Sequence, residues 1–201
     1  MRAVILAILL LAGNQAVVAN DPVGIIETTT EELSHLIDEN RSTYRDDPQT
    51  LKTDVKEILL PTIDQTYSAR LVLGRHGRGK SGEKIDAFAE ALANQLLNRY
   101  ATALLDYDLN DRVEILPLAG DNTERQTRVR TRVMLDNGER APVDYVMRKT
   151  DGGWKVFDVI VEGISYVATF RSQIDQEIRQ SSFEDMLERL ESGQYEVSVD
   201  E

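Results

Sequence analysis

Residues Gly74-Arg75-His76-Gly77-Arg78-Gly79-Lys80-Ser81 spell G-x-x-x-x-G-K-[ST], the spacing in which a glycine-rich loop wraps its N–H groups around a polyphosphate. That chemistry needs a buried parallel strand before the loop and a helix after it, in an alternating α/β fold. Here Tyr67, Leu71 and Val72 ahead of the loop keep a helical spacing, and every strand pattern lies downstream between hairpin turns. The motif therefore reads as a basic loop in which Arg75, Arg78 and Lys80 are candidates for contact with an acidic partner or a lipid phosphate. Hydrolytic and metal chemistry have less support. There are two histidines, His35 and His76, and no cysteine, so a thiol nucleophile and a disulfide framework are both excluded. Gly163-Ile164-Ser165 lacks the closing glycine of a G-x-S-x-G elbow. Asp106, Asp108 and Asp111 lack the central Gly and distal Glu of a calcium loop, so no metal or cofactor is expected. Asp158 stands apart, because strand alternation places it among Trp154, Val156 and Ile160, where a carboxylate requires a partner. Arg171 in the following helix is the expected partner, a structural pair fixing helix to sheet, with acid or base catalysis as the alternative.

The elements that hold these residues follow from caps and periodicity. Asp21-Pro22 and Asp47-Pro48 each join a capping carboxylate to a proline suited to the first helical turn. They predict one helix carrying Val23, Ile26, Leu33, Leu36 and Ile37, and another carrying Leu51, Val55, Ile58 and Leu59, broken by Pro61. Ile63, Tyr67, Leu71 and Val72 predict a short helix stopped by Gly74. Ser81 caps a long one through Ile85, Phe88, Ala89, Leu92, Leu96, Tyr100 and Leu104. Four strands are predicted at 113–117, 127–135, 141–149 and 154–161, separated by Gly120-Asp121-Asn122, Asp136-Asn137-Gly138 and Asp151-Gly152-Gly153. In the second strand Val129, Thr131, Val133 and Leu135 form a dry face, while Arg128, Arg130 and Arg132 form a basic, exposed one. In the fourth, Trp154, Val156, Asp158 and Ile160 share one face, and Lys155, Phe157, Val159 and Val161 the other. From Ile164 the spacing Ile164, Val167, Phe170, Ile174 turns helical, a last helix carries Phe183, Met186, Leu187 and Leu190, and the acidic tail from Gly193 reads as loose. Helices, a four-stranded antiparallel meander and more helices make an α+β domain.

Residues 1–19 read as a secretory leader, with a basic start at Arg2, an apolar run from Ala3 to Ala12 and a small-residue cleavage site at Val17-Val18-Ala19. The apolar run is shorter than the ~20 residues a spanning helix needs. The remaining residues, 20–201, suit one domain. Lys and Arg number 23 against 35 Asp and Glu, a net charge of −12. Such a surface argues against nucleic acid and against nonspecific adsorption to anionic membrane.

Gly152-Gly153-Trp154-Lys155-Val156-Phe157-Asp158-Val159, then Glu162-Gly163-Ile164-Ser165 and Phe170-Arg171-Ser172-Gln173, resembles the signature of the MlaC or toluene-tolerance family, periplasmic phospholipid-binding proteins of the Mla lipid-asymmetry pathway. Phe157 and Phe170 stand where Tyr is more usual. Asp21-Pro22, Ile58-Leu59-Leu60-Pro61, Ala69-Arg70-Leu71-Val72-Leu73-Gly74 and the helix through Tyr100 are similar to further family landmarks, with Gly77 in place of the usual Trp. The resemblance implies a curved sheet of the cystatin or NTF2-like kind and a monomeric periplasmic carrier without catalytic activity. It also implies a phospholipid ligand, an inner-membrane ABC-type lipid transporter as one partner and an outer-membrane lipoprotein–porin complex as the other.

Carrying lipid needs an apolar cavity and no reactive group: two chains of about fifteen methylenes, at ~0.8 kcal/mol each, cost roughly 24 kcal/mol to expose to water. On the resemblance, the residues expected to meet the chains are Leu71, Val72, Phe88, Leu92, Tyr100, Val129, Val133, Tyr145, Val156, Ile160, Ile164, Val167 and Phe170. Residue patterns alone read these as ordinary core. Two other readings therefore stay open: a small enzyme on the same scaffold using Asp158 or Glu162, and a protein-binding adaptor that encloses nothing.

Overall fold

A computed structural model describes residues 21–106, 113–120, 122–135 and 138–198. The predicted leader, Asp108, Asp111 and the turn residues Asp121, Asp136 and Asn137 lie outside the described residues. Each of the first four helices starts at a side-chain cap. Asp21 accepts from the amides of Val23 and Gly24 to open α1 (Pro22–Asp46), and Asp47 accepts from Gln49 and Thr50 to open α2 (Pro48–Leu59). After a 3₁₀ turn at Leu60–Thr62 around Pro61, Asp64 caps α3 (Gln65–Leu73), which Gly74 ends at φ +52°. Ser81 caps α4 (Gly82–Tyr100), and a 3₁₀ stretch, Ala101–Asp106, leads towards the sheet.

The sheet is an antiparallel meander in the order β1 (Val113–Ile115), β2 (Gln126–Met134), β3 (Arg140–Thr150), β4 (Gly153–Val161), β5 (Ile164–Ser165). Among the described residues it has five strands, one more than predicted. After the turn at Glu162 and Gly163, residues 164 and 165 pair back onto Val161 and Ile160 before the helix begins. Helix α5 therefore runs Tyr166–Gln180, and Ile164, expected to point inward from it, is 56% exposed on the edge strand. The rest of the β4 edge is covered by a parallel bridge from Ile63 to Val156, with Asp64 N–H donating to Val156 O.

Helix α6 (Phe183–Glu191) ends the regular structure. The chain after it is not loose as far as residue 198. Val197 is fully buried and donates to Gln95 Oε1, and Ser198 exchanges two hydrogen bonds with the Gln173 amide. Two side-chain amides thus act as the strand partner that this segment lacks.

Among the described residues the apolar interior forms three clusters. The largest joins α3, α4, α5 and α6 around Leu73, Ile85, Phe88, Ile174 and Met186, the second joins α1, α2 and the 3₁₀ stretch around Ile37, Tyr44, Leu51 and Leu105, and the third sets Ile26 of α1 against Val129, Met147 and Val156 of the sheet. Among the described residues no helix is long and apolar enough to cross a membrane.

Candidate functional site

The faces of β4 are set by a bulge. From Val143↔Val161 to Val146↔Asp158 the β3–β4 register is regular, but the next pair is Met147↔Val156, so Phe157 is an extra residue in β4. Directly opposed residues share a face, so the slip turns half the strand over. Trp154 and Val156 lie on one face with Val159 and Val161, beside Met147, Tyr145 and Val143 of β3 and Thr127, Val129, Thr131 and Val133 of β2. Asp158 and Ile160 belong to the opposite face, with Val146 and Asp144, which corrects the alternation read from sequence.

The first of these faces is largely apolar and incompletely covered. Val129 and Met147 are fully buried, and Thr131 is buried because its hydroxyl donates to Val143 O at 2.7 Å. Val133, Val143, Val159, Val161 and Trp154, by contrast, keep some accessible surface. Tyr145 combines both properties. Burial pushes its phenol pKa up, which requires protein on most sides, yet part of the side chain stays accessible.

Asp158 serves α5. Its Oδ2 accepts from Ser165 Oγ at 2.6 Å and its Oδ1 from Val167 N–H at 3.0 Å, while Ser165 Oγ itself caps the helix by accepting from Ala168 N–H at 3.1 Å. The expected ion pair with Arg171 does not form. Arg171 lies a turn further on, exposed, with its guanidinium against Gly74, where a Cβ would fall 2.8 Å from Nε. The arginines of β2 are half-buried instead of freely exposed: Arg128 lies 3.7 Å from Asp144, Arg130 donates to Ala119 O, and Arg132 donates to Thr131 O at 2.9 Å.

The glycine-rich loop follows helix α3, as expected, and Gly74–Gly77 is a 3₁₀ turn. Its basic residues are mostly engaged. Arg75 and His76 Nε2 each approach Asp175 Oδ1 to 2.7 Å, and Lys80 pairs with Glu184 while lying 4.4 Å above the Phe183 ring. The hydrogen bond with His76, then the charges of Arg179 and Arg75, hold the Asp175 carboxyl below the usual range. Arg78 is exposed.

Comparison with known proteins places this architecture. A family model described as "MlaC protein" matches residues 27–192. The chain belongs to the MlaC family. The toluene tolerance protein ttg2D of Pseudomonas putida is 30% identical over 158 residues, covering 78% of this chain and 73% of that protein. The intermembrane phospholipid transport system binding protein MlaC of Haemophilus influenzae is 27% identical over 154 residues, 75% of this chain and 71% of that one. The solved structure of a phospholipid-binding protein from Ralstonia solanacearum, in complex with a phospholipid, aligns with TM-score 0.74 over 84% of this chain and 93% of that chain at 20% identity, which is a likeness of fold.

In this MlaC family member the thirteen apolar candidates divide between regions. Val129, Val133, Tyr145 and Val156 share the bulged sheet's apolar face. Val72, Phe88, Leu92 and Phe170 belong to the helical cluster, with Val167 packed against it, and there Phe88 and Val72, 0% and 2% exposed, border no open space. Tyr100 is half-buried at the end of α4, with its hydroxyl accepting from Arg99 Nε at 3.1 Å, and Leu71 is half-buried beside the basic loop. Ile160 faces away from Tyr145. Sequence reading missed that Val159 and Val161 share the face of Tyr145, with Trp154 further along it. A signal existed: strict alternation put one carboxylate in an apolar face and three apolar residues opposite it, a conflict that a one-residue slip removes.

Proposed function

We propose that this MlaC family member is a soluble periplasmic carrier that encloses phospholipid acyl chains and shuttles the lipid between the outer and inner membranes. The observation that carries the reading is Tyr145, deep enough for burial to raise its phenol pKa and still accessible, on a sheet face that it shares with Val129, Val133, Val143, Val159 and Val161. The separation of the sheet's apolar cluster at Val129, Met147 and Val156 from the helical one supports it. So do the name of the Haemophilus relative, a phospholipid transport binding protein, and the phospholipid in the Ralstonia structure. The chains lie against Tyr145 and Val133, with Val129 and Val156 beneath and Val159 and Val161 added by the bulge. The curvature a bulge gives a sheet suits the cystatin or NTF2-like architecture expected of such a carrier. Lipid passes to an inner-membrane ABC-type transporter and from or to an outer-membrane lipoprotein–porin complex, both supplying the bias that a passive pocket lacks. Catalysis by Asp158 is disfavoured, because Ser165 and the Val167 amide occupy both of its oxygens.

The test is to purify the protein from a bacterial periplasm, extract it with organic solvent and quantify phospholipid by mass spectrometry. About one lipid per protein is expected, and Val159→Trp, which adds bulk beside Tyr145, should lower that ratio with folding intact. Absence of lipid even after incubation with vesicles would overturn the reading and leave a protein-binding adaptor.

A further inference from the structure

Between the end of α3, the 3₁₀ turn and the outer side of α5 runs an open groove of about 470 Å³, within the range of clefts that take specific ligands. Leu71 and Val167 line it together with three guanidinium groups, those of Arg75, Arg171 and Arg179, against the single carboxylate of Asp175. On a chain of net charge −12 this is a local reversal of sign.

The three arginines are not equivalent. Arg75 and Arg179 each reach Asp175 at 2.7 Å, one to either oxygen, so the groove already shows how it holds a carboxylate. Arg171 stands one helical turn before Asp175, the usual spacing for an ion pair, yet it lies on Gly74 and finds no acceptor among the described residues. Gly74 makes this possible twice over: its φ of +52° ends α3, and its missing Cβ leaves the space that the guanidinium fills. Arg171 is thus a pre-positioned cation with open donors, flanked by apolar wall.

We infer that this groove is a docking site for an acidic segment of a partner protein, which places a carboxylate on Arg171 and an apolar side chain against Leu71 and Val167. A lipid does not fit, because the layer beneath is solid: Val72, Leu73, Phe170 and Ile174 are 0–4% exposed, so no acyl chain passes inward. An anionic membrane surface does not fit either, since the remainder of the protein repels it. The site also differs from the lysine part of the basic loop, where Glu184 neutralises Lys80 and Lys84 from within the chain. The inference does not depend on lipid carriage.

The test replaces Ser172, exposed in the groove, with a photo-crosslinking p-benzoylphenylalanine in the full chain, expressed in its native host, and identifies the joined peptide by mass spectrometry. Asn98, exposed in a separate groove between α4 and α6, is the control position. The expected product is a protein segment with at least two Asp or Glu residues beside an apolar one. Because Arg171 has no internal partner, Arg171→Glu leaves folding and lipid content unchanged, and it should reduce that crosslink about tenfold, while Arg171→Lys retains most of it. A crosslink no stronger than at position 98, a neutral or basic segment, a joined phospholipid, or indifference to Arg171→Glu would each overturn the inference. Lipid content measured on the same samples reports on carriage separately.

Discussion

Replacing Asp158 with alanine removes the group that ties the last long strand to α5. Two hydrogen bonds are lost, at 2.6 Å from Ser165 Oγ and 3.0 Å from Val167 N–H, and the serine that caps the helix loses its own anchor. Hydrogen bonds to a charged group contribute about 1.5–3 kcal/mol each when buried, and a carboxylate at a helix N-terminus adds about 0.3–1 kcal/mol. Asp158 is only partly buried, so the lower ends apply and the expected loss is about 3 kcal/mol, or a fall in Tm of roughly 6–12 °C for a chain of this size. Asp158→Asn, which keeps an acceptor but no charge, should cost about half as much. Urea unfolding followed by far-UV circular dichroism measures both. Arg171→Ala serves as the reference, and with no internal partner it should change stability by less than about 0.5 kcal/mol. A loss for Asp158→Ala below about 0.5 kcal/mol would refute the reasoning, and an Arg171→Ala loss equal to it and not additive with it would refute it in favour of the ion pair.

Acid should loosen α6 through Glu184, whose pKa is lowered from 4.5 to about 2 by hydrogen bonds from Lys84 and Lys80. A depressed carboxyl stabilises the fold above its unfolded pKa and loses that contribution as pH falls through the folded value. The stability gap between the parent and Glu184→Gln should therefore be constant above about pH 5 and close between pH 4.5 and about 2, which urea midpoints across that window will show. A gap that stays constant throughout would exclude the lysine contacts as its source. Gly74→Ala should destabilise by about 1–3 kcal/mol, because φ +52° with ψ −119° strains any side chain and the new Cβ meets Arg171 Nε at 2.8 Å. Adding Arg171→Ala should recover the steric part only, and a Gly74→Ala protein as stable as the parent would contradict the geometry.

What the sequence disclosed and what it withheld divide by the range of the interaction involved. Asp21, Asp47 and Ser81 were legible as caps because a cap bonds amides two or three residues away, and each does so here. The P-loop spelling was legible as a false match for a similar reason: the helical spacing of Tyr67, Leu71 and Val72 is local, and α3 occupies the place of the strand that a phosphate cradle requires. The tail was misread because Val197 is held by Gln95 and Ser198 by Gln173, partners distant in sequence. Charge alone points Asp158 to Arg171, whereas the donors to that carboxylate are the Ser165 hydroxyl of the edge strand β5 and the Val167 amide in the first turn of α5.

The β4 bulge matters most for the proposed cargo. Were Phe157 paired in a regular ladder continuing from Met147↔Val156, Asp158 would stand opposite Tyr145, where a carboxylate bordering hydrocarbon would cost several kcal/mol unpaired. The slip sends it to the opposite face, where α5 needs an anion at its N-terminus, and brings Val159 and Val161 round to the apolar side. One bulged residue thus satisfies the helix and keeps the carboxylate off the face of Tyr145; because deleting Phe157 leaves Met147↔Val156 and Val146↔Asp158 as consecutive pairs, the deletion should keep Asp158 on the α5 side and retain lipid, and loss of lipid with the sheet intact would refute the register.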